Sequence, residues 1–297
     1  MVQPTLKWAG GKRQLLDNIV QLFPDVSDPA VNTYYEPFLG GGAVAFGTEP
    51  QRAVLNDINT RLMNYYRVVK HRPEDLIATL RSFRAPESTV DEDRGFADTS
   101  HFGYDIENYY YQQRALFNRR PYGYEYDRVE EAALLQYLNR TCFNGLYREN
   151  QSGGFNTPIG EYENPDWVQK ERVWDLHEYL STADVRLMSD GYTDGLATIS
   201  AGDLVYADPP YKPVSATADF TEYSADGFDQ DDQLELLETL SSLADDGVHV
   251  VASNSAVMAE KYADAGFDVY TVDATRAINS DAENRDAVEE IIAVMRA

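Results

Sequence analysis

Asp203-Leu204-Val205-Tyr206-Ala207-Asp208-Pro209-Pro210-Tyr211 is the stretch on which the reading of this chain turns. Asp203–Ala207 reads as a strand, and Asp208-Pro209-Pro210-Tyr211 follows it directly. Ligands of open α/β sheets bind at such strand ends. The two prolines fix φ, carry no N–H donor and hold the neighbouring carbonyls at set angles. An acid and a prolyl carbonyl can then accept both protons of one exocyclic NH₂ group. Tyr211 offers a flat ring on which a base can stack.

Outward from this stretch, Val185–Met188, Val248–Ala252, Phe267–Val272 and Val288–Val294 also read as strands, with helices predicted over Gln230–Ala244 and Ala256–Ala265. Toward the N-terminus, Thr33–Phe38 and Arg52–Leu55 have the same style, with helical patterns at Arg13–Phe23 and Ala43–Gly47. Strands alternating with helices imply a mostly parallel α/β sheet. Between the two groups of strands the pattern changes. Thr60–Lys70, Pro73–Phe83, Asp105–Asn118, Arg128–Phe143 and Trp167–Leu180 are helical in spacing. Residues 85–104 are acidic and turn-rich, and Phe143–Tyr162 is a loop or ribbon full of Gly and Asn. Residues 65–170 therefore read as an insertion into one sheet domain formed by 1–64 and 171–297.

Three further motifs carry chemistry. Tyr35-Glu36-Pro37-Phe38-Leu39-Gly40-Gly41-Gly42 places a glycine turn after the first strand, and Asp57 ends the next strand 17 residues beyond Gly40. A glycine turn admits a ligand to the backbone, and an acid at this distance can bind ribose hydroxyls, which points to a nucleoside-bearing cofactor. The GxGxxG register of dinucleotide sites is absent. Lys7-Trp8-Ala9-Gly10-Gly11-Lys12 can bring Lys12 to an anionic group at a helix start, with Trp8 packed on a flat ring. Asn139-Arg140-Thr141-Cys142-Phe143-Asn144-Gly145-Leu146-Tyr147-Arg148 and Phe155-Asn156-Thr157-Pro158 join Arg, Asn, aromatic and Gly residues, of which Arg reads guanine and Asn adenine in a major groove.

Charge sets bounds on these readings. Fifty acids face 25 bases, a net −25, with 29 Asp and only 6 Lys against 19 Arg. Taken as a total this opposes nucleic-acid binding. The distribution reverses that inference locally: residues 1–84 and 114–148 each carry +2, whereas 194–297 carry −17. A polyanion would dock on the two near-neutral windows. An Asp-rich, Lys-poor surface resembles that of proteins soluble in molar salt, so a halophilic protein is expected. Cys142 is the single cysteine, and the four histidines show no ligand spacing, so no metal is expected. No apolar run of membrane-spanning length and no signal-peptide core occur, which predicts a cytoplasmic protein and no membrane partner.

Taken together, the glycine turn, Asp57, the Arg/Asn segment and Asp208-Pro-Pro-Tyr, in that order, resemble the Dam-type, D12-class adenine-N6 DNA methyltransferases of the alpha arrangement, from Leu6 to about Met295. The resemblance implies a Rossmann-like methyltransferase fold with an inserted, largely helical target-recognition domain, and S-adenosylmethionine as methyl donor. It implies that Trp8, Lys12, Phe38, Gly40 to Gly42, Asp57, Ile58 and Asp208 form the cofactor site, with Tyr192 across from Ile58. Asp208 and Pro209 would hold the amine of a flipped adenine and Tyr211 would stack on it, so these three are the catalytic candidates. Lys212–Gln230, including Phe220 and Tyr223, resembles the family's active-site lid. Asn144, Leu146, Arg148 and Pro158 would lie near bases, while Lys7, Arg119, Arg120 and Arg140 are chosen for charge. The Phe-Asn-Gly-Leu-Tyr-Arg and Phe-Asn-Thr-Pro pieces resemble those of GATC readers of double-stranded DNA. Phe143 and Thr157 stand where relatives often carry Tyr and Val. A monomer is expected, and a cognate restriction endonuclease would be its partner if it serves restriction-modification. The alternatives are N4-cytosine methylation, which the Asp of Asp208-Pro-Pro disfavours, RNA-adenine methylation, and a non-catalytic DNA-binding relative, which the intact Asp208, Pro209 and Tyr211 disfavour.

Overall fold

The computed structural model describes residues 1–24, 32–91, 106–120, 123–210, 228–274 and 288–296. Its frame is a seven-stranded sheet: β1 (Tyr34–Glu36), β2 (Arg52–Asn56), β3 (Asp184–Met188), β4 (Leu204–Ala207), β5 (His249–Ser255), β6 (Asp268–Ala274) and β7 (Val288–Met295). The order is β3-β2-β1-β4-β5-β7-β6. Neighbours from β3 to β5 are parallel, and β7 runs antiparallel to both β5 and β6. Every residue of β4 is buried, as a central strand covered on both faces requires.

Order reverses between β1 and β4, and such a switch point leaves a crevice at the carboxyl ends of the strands. Glu36 closes β1 and Asp208 follows β4, so the glycine turn and the Asp-Pro-Pro turn flank the same crevice. The sequence therefore orients its two most specific motifs toward one another through strand topology alone.

Helices α1 (Leu16–Val20) and α2 (Ala43–Thr48) precede β2. Helices α3 (Thr60–His71), α4 (Pro73–Ser82), α5 (Tyr109–Phe117), α6 (Arg128–Thr141) and α7 (Lys170–Thr182) lie between β2 and β3. The remaining helices are α8 (Tyr192–Gly195), α9 (Gln230–Asp245) and α10 (Ala259–Asp264). Asn59, Asn108, Asp127 and Asp229 cap α3, α5, α6 and α9 through side-chain oxygens, each satisfying backbone N–H groups that the first helical turn leaves open. One buried core runs from Tyr34, Leu55 and Tyr206 of the sheet into Tyr65, Leu116, Leu134 and Tyr137 of the inserted helices. A second core, with Val205, Val250, Leu236 and Tyr262, fills the space between the sheet and α9 and α10.

Several elements differ from their expected bounds. Arg13–Phe23 is not one helix: a 3-10 turn at Lys12–Gln14 gives way at Leu15 (φ −100°, ψ 1°) to the short α1, so that Lys12 turns inward. Helix α7 starts at Lys170, not Trp167, because Gln169 is left-handed (φ 46°) and Trp167 is instead anchored by its indole N–H to Leu80 O at 3.0 Å. Ala256–Met258 is a 3-10 turn before α10. No helix among the described residues is long and apolar enough to cross a membrane.

Candidate active site and recognition ribbon

The glycine turn is built by close packing. Gly40 and Gly42 have φ of 49° and 68°, and a Cβ on Gly41 would sit 2.8 Å from Trp8 Cβ. Trp8 thus lies directly over the turn, with its other contact a stack on Tyr147 at 5.3 Å and 20°. Asp57 ties the turn to β2. Its Oδ2 accepts from Gly40 N and its Oδ1 from Asn59 N, both at 2.8 Å. Burial raises its pKa, while those two N–H donors oppose the shift. Next to it Ile58 is 62 % exposed, an unusual place for an isoleucine unless a flat apolar surface covers it. Phe38 packs on Tyr192 at 5.5 Å and edge-on to Phe228 at 5.7 Å, walling the same end of the sheet.

Asp208 retains a fifth of its side-chain surface, and Pro209 is buried. Lys12 Nζ, almost fully buried, lies 3.1 Å from Asp208 Oδ1 and 3.6 Å from Glu290 Oε2, and donates to Gly10 O at 2.8 Å. Two of the protein's own carboxylates thus lie beside Lys12, the residue expected to meet an anionic group. The cation sits against a carboxylate oxygen of the Asp-Pro-Pro turn. Beneath the turn, Glu36 accepts from Tyr34 Oη at 2.6 Å and from Ala45 N at 3.1 Å. Burial pushes its carboxyl up to about 8, with Asp208 adding to the rise. Tyr211 and 212–227, the greater part of the lid segment, lie outside the described residues.

The Arg/Asn segment forms an irregular antiparallel ribbon after α6, joined by bridges Cys142–Ile159 and Glu149–Phe155. At its base Asn139 accepts from Lys7 N at 2.8 Å and donates to Lys7 O at 2.6 Å and Gly145 O at 3.0 Å. Gly145 (φ 68°) leaves no room for a Cβ, which would stand 2.4 Å from Lys7 Cδ. Phe143 and Asn144 are exposed at the tip of a turn, with Asn144 at φ 54°. Arg148 is exposed and held in plane by Nε donating to Asn156 Oδ1 at 2.6 Å. Leu146 is half-buried, and Pro158 is exposed with its carbonyl taken by Phe143 N. Thr157, buried, gives its hydroxyl to Leu146 O at 2.7 Å, so the ribbon accommodates a polar group where relatives often carry Val.

The residues chosen for charge are less uniform. Lys7 Nζ donates to Tyr162 Oη and sits over that ring. Arg140 leans on Asp166 O. Arg120 reaches Thr60 Oγ1 at 2.8 Å and Glu131 at 3.4 Å, so it belongs partly to a buried cluster with Arg61. Cys142 is buried and its thiol is pushed up to about 12, which makes it inert. Sequence reasoning passed over Glu36, Glu290, Gln233 and Asn254. Only Glu36 stood inside a quoted motif, and the others announce themselves through contacts alone.

A mostly parallel open sheet with a glycine turn and an Asp-Pro-Pro turn meeting at its switch point is the frame of a Rossmann-like methyltransferase. The chain belongs to the D12 class N6 adenine-specific DNA methyltransferases, whose family pattern it matches over residues 8–278. It is 38% identical over 293 residues to the Type II methyltransferase M1.LlaDCHI of Lactococcus lactis subsp. cremoris, covering 98% of this chain and 94% of that one. It is 34% identical to the Type II methyltransferase M.MjaIII of Methanocaldococcus jannaschii, covering 98% of both chains. The DNA adenine methylase of Escherichia coli K12 shares 32% identity over 98% of this chain and 94% of its own. The protein is an adenine-specific DNA methyltransferase.

Proposed function

We propose that this enzyme methylates N6 of adenine within GATC in duplex DNA, with S-adenosylmethionine as donor. The observation that carries the reading is Asp208 at the end of β4, facing the glycine turn across the switch point with Lys12 beside it. The donor set suits the cofactor: Asp57 suits ribose hydroxyls, and exposed Ile58 and the Phe38–Tyr192 wall suit its adenine, with Trp8 and Gly40 to Gly42 assigned to the same site. When bound, the cofactor supplies a methyl group activated on a sulfonium.

The chain's own residues do the rest. Adenine N6 is shielded in the duplex, so the base is flipped into the crevice. Asp208 and the Pro209 carbonyl accept hydrogen bonds from the amine, which raises electron density on nitrogen. Holding that nitrogen at near-attack distance accounts for much of the rate. Tyr211 is proposed to stack on the flipped ring. Residues 1–64 and 171–297 are assigned to cofactor binding and catalysis, and 65–170 to target recognition. The described strands fall only in the first two ranges. Arg148, Asn144, Leu146 and Pro158 are assigned to base contacts, and Lys7, Arg119, Arg120 and Arg140 to phosphate or base contact. We take the enzyme to be a cytoplasmic monomer working at high salt, paired with a restriction endonuclease if it serves in restriction-modification.

DNA from a methylation-free host expressing the chain is expected to carry N6-methyladenine at GATC by modification-sensitive sequencing. Asp208→Ala should lower transfer by about 10²-fold or more. Methylation at another motif would overturn the GATC assignment. An Asp208→Ala enzyme of wild-type rate would overturn the site.

A further inference from the structure

Pro210 and α9 are joined by a chain of buried amides. Gln233 Nε2 donates to Pro210 O at 2.6 Å, and Asn254 Nδ2 donates to Gln233 Oε1 at 2.9 Å. Asn254 Oδ1 in turn accepts from Ser255 N at 2.8 Å. A backbone N–H can only donate, so it assigns Oδ1 of Asn254. That choice puts Nδ2 toward Gln233 and leaves Nε2 of Gln233 for the carbonyl. Each amide orientation follows from the one before, and the chain starts and ends on backbone. Gln233 and Asn254 are 1 % and 0 % exposed, where an amide left without a partner is costly.

We propose that Gln233, oriented by Asn254, is a positioning residue for methyl transfer. The inference rests on the reading of Asp208-Pro209-Pro210 as the amine-binding turn. That turn offers two adjacent prolyl carbonyls. Gln233 takes up the one on Pro210 and fixes that carbonyl's direction, one Cα beyond the peptide unit that carries the Pro209 carbonyl. The Pro209 carbonyl and the Asp208 carboxylate are thereby held as the pair presented to the amine. Asn254 stands on β5, which pairs with β4, and Gln233 lies in the first turns of α9, whose start is locked by the reciprocal Asp229–Asp232 cap. The turn is thus referenced to two rigid elements.

Gln233→Met tests this, because the side chain keeps its volume and loses the donor to Pro210, whereas a glutamate this deeply buried against a carbonyl would stay protonated and go on donating. We expect the single-turnover rate to fall about 10- to 100-fold, the cost of a small misplacement at a reacting centre. KM for DNA and cofactor affinity should change less than about threefold. Asn254→Ala should give a smaller loss in the same direction. The double variant should lose no more than Gln233→Met alone, since both act through one chain. Gln233→Leu, which also lacks both polar atoms, serves should the methionine variant fail to fold. A wild-type single-turnover rate in a folded Gln233 variant, or losses that simply add, would overturn the positioning role. Asp208→Asn run alongside separates the two readings. If it is inactive while Gln233→Met is normal, only the positioning role falls; if it is fully active, the amine-binding turn falls and the role of Gln233 with it.

Discussion

Glu36 shows what a single buried side chain contributes to this site. It lies one residue before the Pro37-Phe38 step of the glycine turn, accepts from Tyr34 and Ala45, and is neutral at pH 7 because its carboxyl titrates at about 8. In the unfolded chain the same group ionises near its ordinary value of 4.5. Between these values the folded state holds a proton that the unfolded state has released, so stability falls as pH rises from about 4.5 to 8. Glu36→Gln keeps a carbonyl oxygen for both donors and removes the titration. Urea unfolding followed from pH 5 to pH 9 should show a flatter pH dependence for the variant and a gain in stability relative to wild type at pH 9. Parallel curves for the two proteins would mean that Glu36 is already ionised in the fold. Glu290 is the second such residue. It shares Lys12 with Asp208 and so moderates the cation nearest the reacting turn.

The ribbon after α6 is held together as an element rather than as a row of side chains. Asn139 hydrogen-bonds Lys7 and Gly145 together, Thr157 and Asn156 brace Leu146 and Arg148, and Tyr147 stacks on Trp8 over the glycine turn. Under the GATC reading, the Arg148 fork meets O6 and N7 of one guanine. Arg148→Ala should cost about 1–3 kcal/mol and relax discrimination at that base only. Affinity measured on a set of single-base variants of the site checks this, and unaltered preference would remove Arg148 from base reading. The same scale shows what was legible beforehand. The Asp208-Pro-Pro turn, the glycine turn and Asp57 were readable because strand, turn and chemistry lie within a few consecutive residues. Helices such as α3, α6 and α9 were readable from periodicity alone. Helix α8 was not, since four residues carry no period, and α1 was overextended because the inward turn of Lys12 answers to Asp208 and Glu290, far away in sequence. Gln233 and Asn254 were hidden for the same reason.

At the scale of the molecule, a net charge of −25 has to coexist with a polyanionic substrate. Self-repulsion among 50 acids destabilises the compact state at low ionic strength, and the Debye length of about 3 Å at 1 M salt removes most of it. Salt also weakens DNA binding, by a log–log slope of about −0.9 for each phosphate neutralised. The near-neutral windows limit how many phosphates can be reached. Among their basic residues, Arg120 is shared with Glu131, Arg61 is buried against Glu131, and Lys7 and Arg140 lean on Tyr162 and Asp166. Base contact and shape must then carry a larger share of affinity than phosphate charge does. Two measurements follow. Thermal unfolding should shift upward as salt is raised from about 0.1 M to molar concentration, as screening of the net charge requires. The salt slope of DNA binding should be shallow, of magnitude below about 4, as for a protein that neutralises only a few phosphates. A slope near −8, with stability unchanged by salt, would mean that the acidic surface is incidental and that phosphate contacts dominate binding after all.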